Sequence, residues 1–359
     1  MKRIGILTSG GDCQGLNAAI RGVAKSLYQE FNDDVEIYGI RDGYSGLIHG
    51  NYKKMEKSDF SGILTLGGTI LGTSRQPFKM MRVIDEETSL DKVKNMKENY
   101  AKMGLDCLVI LGGNGTHKSA NMLSEEGLNV VSMPKTIDND VWGTDMTFGF
   151  YSAVDIATHV IDCVHTTATS HGRVFIVEIM GHKVGWLNLY AGIAGGADVI
   201  LLPEIPYDIN KVAEVLQRRE LGGKQFTILA VAEGAISKQE AAMKKKEFKA
   251  SRAAMQYPSV SYRLAAELES ISGQEIRVTV PGHFQRGGSP CAYDRVLCTR
   301  FGAAAARLIK HEEYGFMTGL RNGEIVAVPL SEVAGKLKRV PVDCDEIAAA
   351  RDMGISFGD

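Results

Sequence analysis

Short apolar runs alternate along the chain with longer segments in which apolar residues recur near the helical period. The apolar runs predict strands at residues 4–8, 35–40, 108–111, 130–133, 174–179, 199–202, 226–232 and 276–280. The periodic segments predict helices at residues 17–31, 91–103, 152–166 and 259–271. This alternation is typical of an α/β protein with mainly parallel sheets, whose right-handed crossovers bring ligand loops to the carboxyl ends of strands.

The length of 359 residues exceeds what one hydrophobic core usually supports, so two domains are expected. A boundary is predicted near Gly149, because a strand and its loop end there and a long helix begins. The charged run at residues 244–249 is predicted to form the solvated face of a helix or loop.

The formal net charge of −2 gives no general attraction for nucleic acid or for an anionic membrane. Basic residues that bind a ligand are therefore expected in local clusters around an anion. Six cysteines without a C-x-x-C pair suit a reducing compartment and suggest neither zinc nor disulfides. The amino terminus enters a strand without a signal-like apolar region, and no apolar stretch reaches spanning length, so a cytoplasmic protein is predicted.

The segment from Pro134 to Asp140 places two carboxylates, Asp138 and Asp140, two residues apart in a polar turn. It follows the strand-like run 128–133, and packing gives no use for a Lys-Thr-x-Asp-Asn-Asp sequence. A hydroxyl acceptor that attacks a phosphoryl group needs a carboxylate to take its proton and polar groups to hold the phosphates. The segment therefore predicts a phosphotransferase site.

Glycine-rich loops follow two of the predicted strands, at residues 8–17 and 111–116. Glycines let backbone N–H groups approach an anion at the start of a helix. A third loop, residues 67–75, ends in the guanidinium of Arg75, which is placed to reach across a polyphosphate. A single loop of this kind also occurs simply for tight packing, but their repetition favours phosphate binding.

The second half of the chain carries an acid and several basic groups beside predicted strands. Glu233 stands at a strand tip and is expected to accept a hydrogen bond from a sugar hydroxyl. The basic or donor-rich positions are Arg173, the loop from Met180 to Lys183, Arg277, His283 and Arg286. Alone, His283 fits a structural histidine and Arg277 a surface ion pair; their shared neighbourhood favours a sugar phosphate.

These motifs together resemble the 6-phosphofructokinase family along nearly the whole chain. The matching segments are GGDCQGLNAAIRG, GGTILGTSR, GGNGT, PKTIDND, the Met180-Gly181 loop, AEG and GHFQRGGSP. The resemblance implies two doubly wound α/β domains with mainly parallel sheets facing a central cleft. Residues 1–149 with about 285–335 would bind the phosphoryl donor, and residues 150–284 with about 336–359 the sugar phosphate. It also implies phosphoryl transfer to the 1-hydroxyl of D-fructose 6-phosphate in glycolysis, dependence on Mg2+, and a homo-oligomer, dimer or tetramer, with shared sites.

Site roles follow from the resemblance by matching position. Asp138 looks like the base for the 1-hydroxyl, with Thr136 and Asp140 orienting substrate and charge, and Lys135 and His182 as further catalytic groups. The donor-binding positions are Gly11, Arg75, Gly113, Asn114, Gly115 and Thr116. The substrate-binding positions are Thr136, Asp138, Arg173, Met180, Gly181, His182, Glu233, Arg277, His283 and Arg286. Of these, Arg173 and Arg277 resemble arginines that a neighbouring subunit contributes.

The donor is the point on which the family divides, and this chain carries one mark of each kind. Gly115 leaves room for the α-phosphate of ATP, which an aspartate would obstruct and repel. Lys135 is the residue typical of pyrophosphate users. ATP is predicted, because a blocking carboxylate excludes ATP directly whereas a flexible lysine accommodates it; a pyrophosphate-dependent enzyme is the alternative.

Two positions depart from the family pattern. Asn114 replaces an acidic residue associated with the metal, so Mg2+ would be held mostly through phosphates and water. His182 replaces an arginine. A catalytically weakened, sugar-phosphate-binding regulatory subunit is therefore a second hypothesis, which the presence of Asp138, Thr136 and Arg75 disfavours. A dinucleotide-dependent dehydrogenase is a third, but the chain lacks G-x-G-x-x-G.

Overall fold

A computed structural model describes residues 1–84, 90–255 and 259–359. The chain divides into two compact units. Unit 1 comprises Met1–Ser152 and Arg286–Lys338, and unit 2 comprises Ala153–Gln285 and Arg339–Asp359. The functional domain ranges inferred from the resemblance stay a prediction.

The strands, in chain order, are β1 (Lys2–Ser9), β2 (Val35–Ile40), β3 (Tyr52–Met55), β4 (Cys107–Gly112), β5 (Val130–Pro134), β6 (Val174–Ile179), β7 (Val199–Leu201), β8 (Thr227–Ala232), β9 (Ile276–Thr279), β10 (Phe316–Arg321) and β11 (Glu324–Pro329). The helices are α1 (Leu16–Glu30), α2 (Tyr44–His49), α3 (Lys92–Met103), α4 (Asn114–Glu125), α5 (Phe150–His171), α6 (Trp186–Ala194), α7 (Ile209–Leu221), α8 (Lys238–Ala241), α9 (Lys245–Ala253), α10 (Val260–Ser272), α11 (Ala292–Lys310), α12 (Leu330–Val333) and α13 (Asp345–Asp352). Short 3-10 helices span Lys57–Phe60, Phe78–Met80 and Gly282–Arg286.

Unit 1 is built on a sheet with the strand order β11-β10-β5-β4-β1-β2-β3. The five strands from β10 to β2 run parallel, and the outer strands β11 and β3 are antiparallel to their neighbours. Strand β4 is buried along its whole length, which explains its unbroken apolar sequence. Helices α1 and α11 pack closely because both carry a glycine at the contact: a Cβ on Gly302 would lie 2.5 Å from backbone atoms of Gly22 and Val23.

Unit 2 contains a parallel sheet with the order β7-β8-β6-β9. Its core is formed by apolar side chains of these strands and of α7 and α10, including Ile176, Val231, Leu216 and Leu264. Strands β6 and β8, which precede the Met180 loop and Glu233, are buried along their whole length.

The predicted fold class is confirmed: both sheets are mainly parallel and alternate with helices. Every predicted strand is present, and the bounds predicted for β2 and β6 agree with the structure. Predictions missed β3, β10 and β11; β3 and β11 are edge strands with exposed positions, which gives them a weak apolar pattern. Helix α5 is longer than predicted, and α9 has no buried residue, as expected for the charged run. Within the described residues, no helix is both long and apolar enough to cross a bilayer.

Candidate active site

Three loops with predicted functions leave the same edge of the unit 1 sheet. Strands β1, β4 and β5 are parallel neighbours, and their last residues Ser9, Gly112 and Pro134 stand opposite one another in the register. The first glycine loop, the second glycine loop and the acid loop (residues 135–147) therefore begin at the same level. This is the carboxyl edge at which α/β proteins bind ligands.

Three cationic side chains surround the first glycine loop. A Cβ on Gly11 would lie 2.8 Å from Nη1 of Arg286 and 3.5 Å from Nη2 of Arg75. The Lys135 ammonium donates to the Gly11 carbonyl oxygen, and Arg286 Nη1 donates to the Asp12 carbonyl oxygen at 3.1 Å. The absence of a side chain at Gly11 is thus what lets two guanidinium groups approach the same stretch of backbone.

The buried ammonium of Lys135 lies in the field of the other cations and also in that of the carboxylates of Asp138 and Asp12. Burial lowers the pKa of Lys135 from its ordinary value, and the positive charge of Arg286 acts in the same direction. Such a cluster favours an anion with several oxygens.

The loop that carries Arg75 is fastened to β1 and the first glycine loop. Thr8 Oγ1 donates to the Gly72 carbonyl oxygen, and Thr73 Oγ1 donates to the Gly10 carbonyl oxygen, both at 2.7 Å. The Gly10 N–H donates to the Ser74 carbonyl oxygen at 3.1 Å. Arg75 itself is exposed at the end of this fastened loop, so its backbone is fixed while its side chain faces solvent.

The second glycine loop starts helix α4, whose first N–H groups have no partner within the helix. Gly113 is its N-cap residue. A Cβ on Gly115 would meet no atom within 4 Å, so the space in front of this turn is open. The Asn114 amide nitrogen donates to the Lys336 carbonyl oxygen at 2.6 Å. The Thr116 hydroxyl is buried and donates to the Ser9 carbonyl oxygen at 3.4 Å. Any contact of Thr116 with the phosphoryl donor would therefore be made by its backbone N–H.

The acid loop is held by its own polar groups. The Asp138 N–H donates to Thr136 Oγ1 at 3.0 Å. Asn139, between the two acids, has the left-handed φ of +52°, and its Oδ1 accepts from the Thr147 N–H at 3.1 Å. Asn tolerates this conformation better than most residues. The two carboxylates thus sit on either side of a fixed bend.

Asp140 is 9% exposed, and its carboxyl group is shifted toward the protonated form. Burial raises the pKa of Asp140 from 3.8 to about 6, and the neighbouring negative charge of Asp138 adds to the shift. Asp138 is less enclosed than Asp140. The pair therefore combines one more accessible carboxylate with one in a drier environment, an arrangement found where acids have different roles.

In unit 2, Glu233 lies beside the loop that follows β6. Ile179 and Ala232 stand opposite each other, so Met180 and Glu233 begin their loops at the same level. Glu233 Oε1 accepts from the Gly181 N–H at 3.1 Å and from the His182 N–H at 2.6 Å. This oxygen therefore holds the loop, so the predicted contact with a sugar hydroxyl would need the second oxygen.

The other predicted unit 2 donors lie on loops at the carboxyl side of the strands. His182 is exposed and has φ of +53°. His283 is exposed in the 3-10 helix Gly282–Arg286. The neighbouring Gln285 is buried, and its Oε1 accepts from the Met180 N–H at 3.1 Å. Gln285, which the sequence analysis did not single out, thus supports the Met180 loop from the segment that carries His283.

Arg173 and Arg277 lie at the opposite edge of the unit 2 sheet. Arg173 precedes β6, and Arg277 stands opposite Phe175 near the start of that strand. Both arginines pair with Glu275, Arg173 at 2.7 Å. Arg277 is five residues, roughly 16 Å, before Met180 along the parallel strands. Within a single chain, Arg173 and Arg277 therefore lie apart from the Met180 loop, and their contribution to the site of a neighbouring subunit stays a prediction.

Arg286 also differs in position from its predicted grouping. It belongs to unit 1, where its guanidinium lies beside Gly11 with that of Arg75. It therefore sits with the residues predicted to bind the phosphoryl donor. The donor-domain range expected from the resemblance, about 285–335, included Arg286; the assignment of the residue itself to the sugar phosphate stays a prediction.

Comparisons with known proteins agree over the full chain. The family model described as Phosphofructokinase matches residues 3–309. A Spirochaeta thermophila protein named ATP-dependent 6-phosphofructokinase is 56% identical over 360 residues, covering 100% of this chain and 98% of that protein. A Propionibacterium freudenreichii subsp. shermanii protein of the same name is 47% identical over 378 residues, covering 99% of each. The solved phosphofructokinase structure from Saccharomyces cerevisiae superposes with a TM-score of 0.79 and 32% identity, covering 93% of this chain and 45% of that one.

Proposed function

This chain belongs to the phosphofructokinase family, and we propose that it transfers a phosphoryl group from ATP to the 1-hydroxyl of D-fructose 6-phosphate. The products are fructose 1,6-bisphosphate and ADP, as in glycolysis. Full-length relatives named ATP-dependent 6-phosphofructokinase support this function over a pyrophosphate-dependent enzyme and over an inactive regulatory subunit.

The observation that carries the proposal is the arrangement at the edge of the unit 1 sheet. Arg75, Lys135 and Arg286 converge on the first glycine loop, and the loop with Asp138 and Asp140 leaves the next but one strand at the same level. A cluster of three cations beside a pair of carboxylates suits a polyphosphate that meets an alcohol.

In this mechanism Asp138 takes the proton of the sugar 1-hydroxyl as its oxygen attacks the terminal phosphorus of the donor. Thr136 Oγ1 accepts from the Asp138 N–H and so holds the carboxylate in its turn. Lys135, Arg75 and Arg286 balance the charge that develops on the phosphoryl oxygens. Because Lys135 and Arg286 are held by backbone carbonyl oxygens before the phosphoryl donor arrives, these two cations need little reorganisation at the moment of transfer.

The choice of ATP over pyrophosphate depends on the first turn of α4. The open space in front of Gly115 accommodates a further phosphate and its nucleoside. Lys135 does not occupy that space, because no atom lies within 4 Å of a Cβ at Gly115 and the Lys135 ammonium is bound to the Gly11 carbonyl oxygen. The lysine that is typical of pyrophosphate users is thus compatible here with ATP.

Mg2+ would be held at this site mainly by phosphate oxygens and water. Among the described residues there is no cluster of three His, Cys, Asp or Glu side chains able to hold a metal, so phosphate oxygens and water would have to supply most ligands. The Asn114 amide nitrogen is engaged by Lys336, which leaves its carbonyl oxygen as the group able to face a cation. When bound, the ion would neutralise charge on the phosphates.

The sugar phosphate would be bound by the Met180–Glu233 region of one subunit together with Arg173 and Arg277 of another. Support comes from the two edges of the unit 2 sheet, since these groups lie too far apart to bind one phosphate within a chain. The protein is therefore proposed to act as a dimer or tetramer.

A mixing experiment tests these shared sites. Asp138→Asn chains mixed with Arg277→Ala chains should have more activity than either variant alone, because a mixed oligomer contains a site with both residues intact. No gain in activity would contradict shared sites.

The experiment for the reaction itself measures initial rates of fructose 1,6-bisphosphate formation in a coupled assay with ATP and with pyrophosphate. Turnover with ATP that falls at least about a thousandfold in Asp138→Asn is expected. Product formed with pyrophosphate alone would overturn the assignment of the donor. Parental rates in Asp138→Asn would overturn the assigned base.

A further inference from the structure

A segment from the far end of unit 1 runs beside the acid loop. Leu337 forms an isolated antiparallel bridge with Val141, and the Lys338 N–H donates to the Asp140 carbonyl oxygen at 2.9 Å. We call residues 336–338 the strap. It lies about two hundred residues from the acid loop in sequence, so its contacts there are a product of the tertiary fold.

The ammonium of Lys338 is inserted into the acid loop. It donates to Asn139 Oδ1 at 2.8 Å, to the Thr144 carbonyl oxygen at 2.9 Å and to the Asp145 carbonyl oxygen at 2.8 Å. An ammonium has three N–H donors and no acceptor, which matches three oxygens on one loop. Burial lowers the pKa of Lys338 to about 7, while the charges of Asp145 and Asp140 oppose that shift. The three hydrogen bonds to the acid loop offset the cost of burying the Lys338 ammonium.

Asn139 links this lysine to the two acids. Its side-chain oxygen accepts both from Lys338 and from the Thr147 N–H, and its left-handed backbone sets the bend between Asp138 and Asp140. Rotation of the Asn139 side chain would release the Thr147 N–H and the bend together. The bend between the two carboxylates is therefore held in part by the Asn139 side chain and by the Lys338 ammonium bound to it.

The same strap also contacts the helix predicted to bind the donor. The Lys336 carbonyl oxygen accepts from the Asn114 amide nitrogen at the start of α4. A carboxylate at position 114 could not donate to this carbonyl oxygen, which gives the neutral Asn114 a structural use. The strap thus connects the first turn of α4 with the acid loop.

From these contacts we propose that Lys338 is a positioning residue for phosphoryl transfer, which holds Asn139 and thereby keeps Asp138 and Asp140 aligned with the donor end of α4. This inference rests on the proposed function. A displacement of about 1 Å in a reacting group lowers rates by roughly 100-fold. Loss of the ammonium should therefore act on the chemical step more than on binding of the sugar phosphate.

The test compares Lys338→Met with the parent and with Lys310→Met, a control that removes an ammonium lying over the Phe31 ring in the same unit. Lys338→Met should lower kcat about 10- to 100-fold, with the KM for fructose 6-phosphate within about threefold. The control should keep parental kcat. A parental kcat in Lys338→Met, or a loss accounted for by unfolded protein, would overturn the positioning role.

A second measurement does not depend on activity. Hydrogen exchange of the peptide that covers residues 136–148 should be faster in Lys338→Met, because the Thr147 N–H loses its fixed acceptor. Asn139→Ser removes the same acceptor and leaves both contacts of Lys338 with carbonyl oxygens. It should also give faster exchange, and it provides the test if Lys338→Met does not fold. Unchanged exchange in a folded variant would overturn the proposal. An inactive parent with faster exchange in the variant would instead reject the proposed function alone.

Discussion

The ammonium of Lys135 donates a hydrogen bond to the carbonyl oxygen of Gly11. This contact joins the loop after β5 to the loop after β1, across the loop after β4 that lies between them in the sheet. It puts a buried cation at the glycine loop whose other neighbours are Arg75 and Arg286. One side chain thus connects the residues assigned to the donor with the residues assigned to proton transfer.

Lys135→Met is expected to lower kcat by at least about tenfold and to leave the KM for fructose 6-phosphate nearly unchanged. The substitution keeps an apolar chain of similar length but removes the charge that balances the phosphoryl oxygens. Steady-state kinetics with both substrates varied would measure it. An unchanged kcat would refute the catalytic role of Lys135.

Gly11→Ala is expected to raise the KM for ATP by about tenfold with little loss of thermal stability. The new methyl carbon would lie 2.8 Å from Arg286 Nη1, so the flexible guanidinium must move away from the donor site. The backbone at Gly11 is not in the left-handed region, so strain is not the cause. ATP kinetics and a thermal melt check the prediction; a large drop in Tm with unchanged KM would contradict it.

Gly115→Asp is expected to separate stability from activity. The side chain would enter open space in the first turn of α4, where a carboxylate stabilises a helix by about 0.3–1 kcal/mol. The same carboxylate would repel the phosphates of ATP, so the rate with ATP should fall by about 100-fold or more.

Gly115→Ala is the matched control, since it adds a carbon without a charge. It should keep the parental fold and most of the rate with ATP. If Gly115→Asp used ATP as well as the alanine variant does, the assignment of this space to the nucleotide would be wrong.

Asp140→Asn is expected to stabilise the protein above pH 6 while it lowers activity by at least about tenfold. The folded pKa of Asp140, about 6, lies above the ordinary value of 3.8. Between those values the folded chain keeps a proton that the unfolded chain has released, so the parent loses stability as pH rises.

The asparagine does not titrate and should avoid that loss, which amounts to about 3 kcal/mol above pH 6. Denaturant unfolding at pH 4, 5, 6 and 7 measures the difference in unfolding free energy between variant and parent. The difference should grow from pH 4 to pH 6 and then level off. A difference that is constant across this range would show that Asp140 has no raised pKa.

Local sequence patterns were sufficient to predict most strands of this protein and the loops that carry its candidate site. The buried parallel strands β1, β2, β4, β5 and β6 each form an apolar run long enough to be recognised alone. The glycine loops and the acid segment follow these strands directly, so their placement at one sheet edge could be inferred from chain order. The resemblance to the family rested on the same contiguous segments.

Other features depend on contacts between distant parts of the chain. Arg286 reaches the Asp12 carbonyl oxygen across a separation of 274 residues, and Lys338 reaches Asn139 across 199. No residue near Lys338 in sequence marks it as part of the site, whereas Arg286 was recognised from its motif but not its contact with the first glycine loop. By contrast, Arg173 precedes β6 and Arg277 lies early in β9. These positions in the sequence could have predicted that both arginines lie at the amino edge of the sheet, away from the Met180 loop.

The division has a physical cause. The formation of strands, helices and tight turns depends on interactions within a few residues. The order of elements and loops can therefore be predicted from short segments of the sequence. Which oxygen each cationic side chain contacts depends on how β10, α11 and the strap pack against strands β1–β5. That closure fixes side chains such as Arg286 and Lys338 only after the sheets have assembled, and it decides how the acids and the phosphate loops meet.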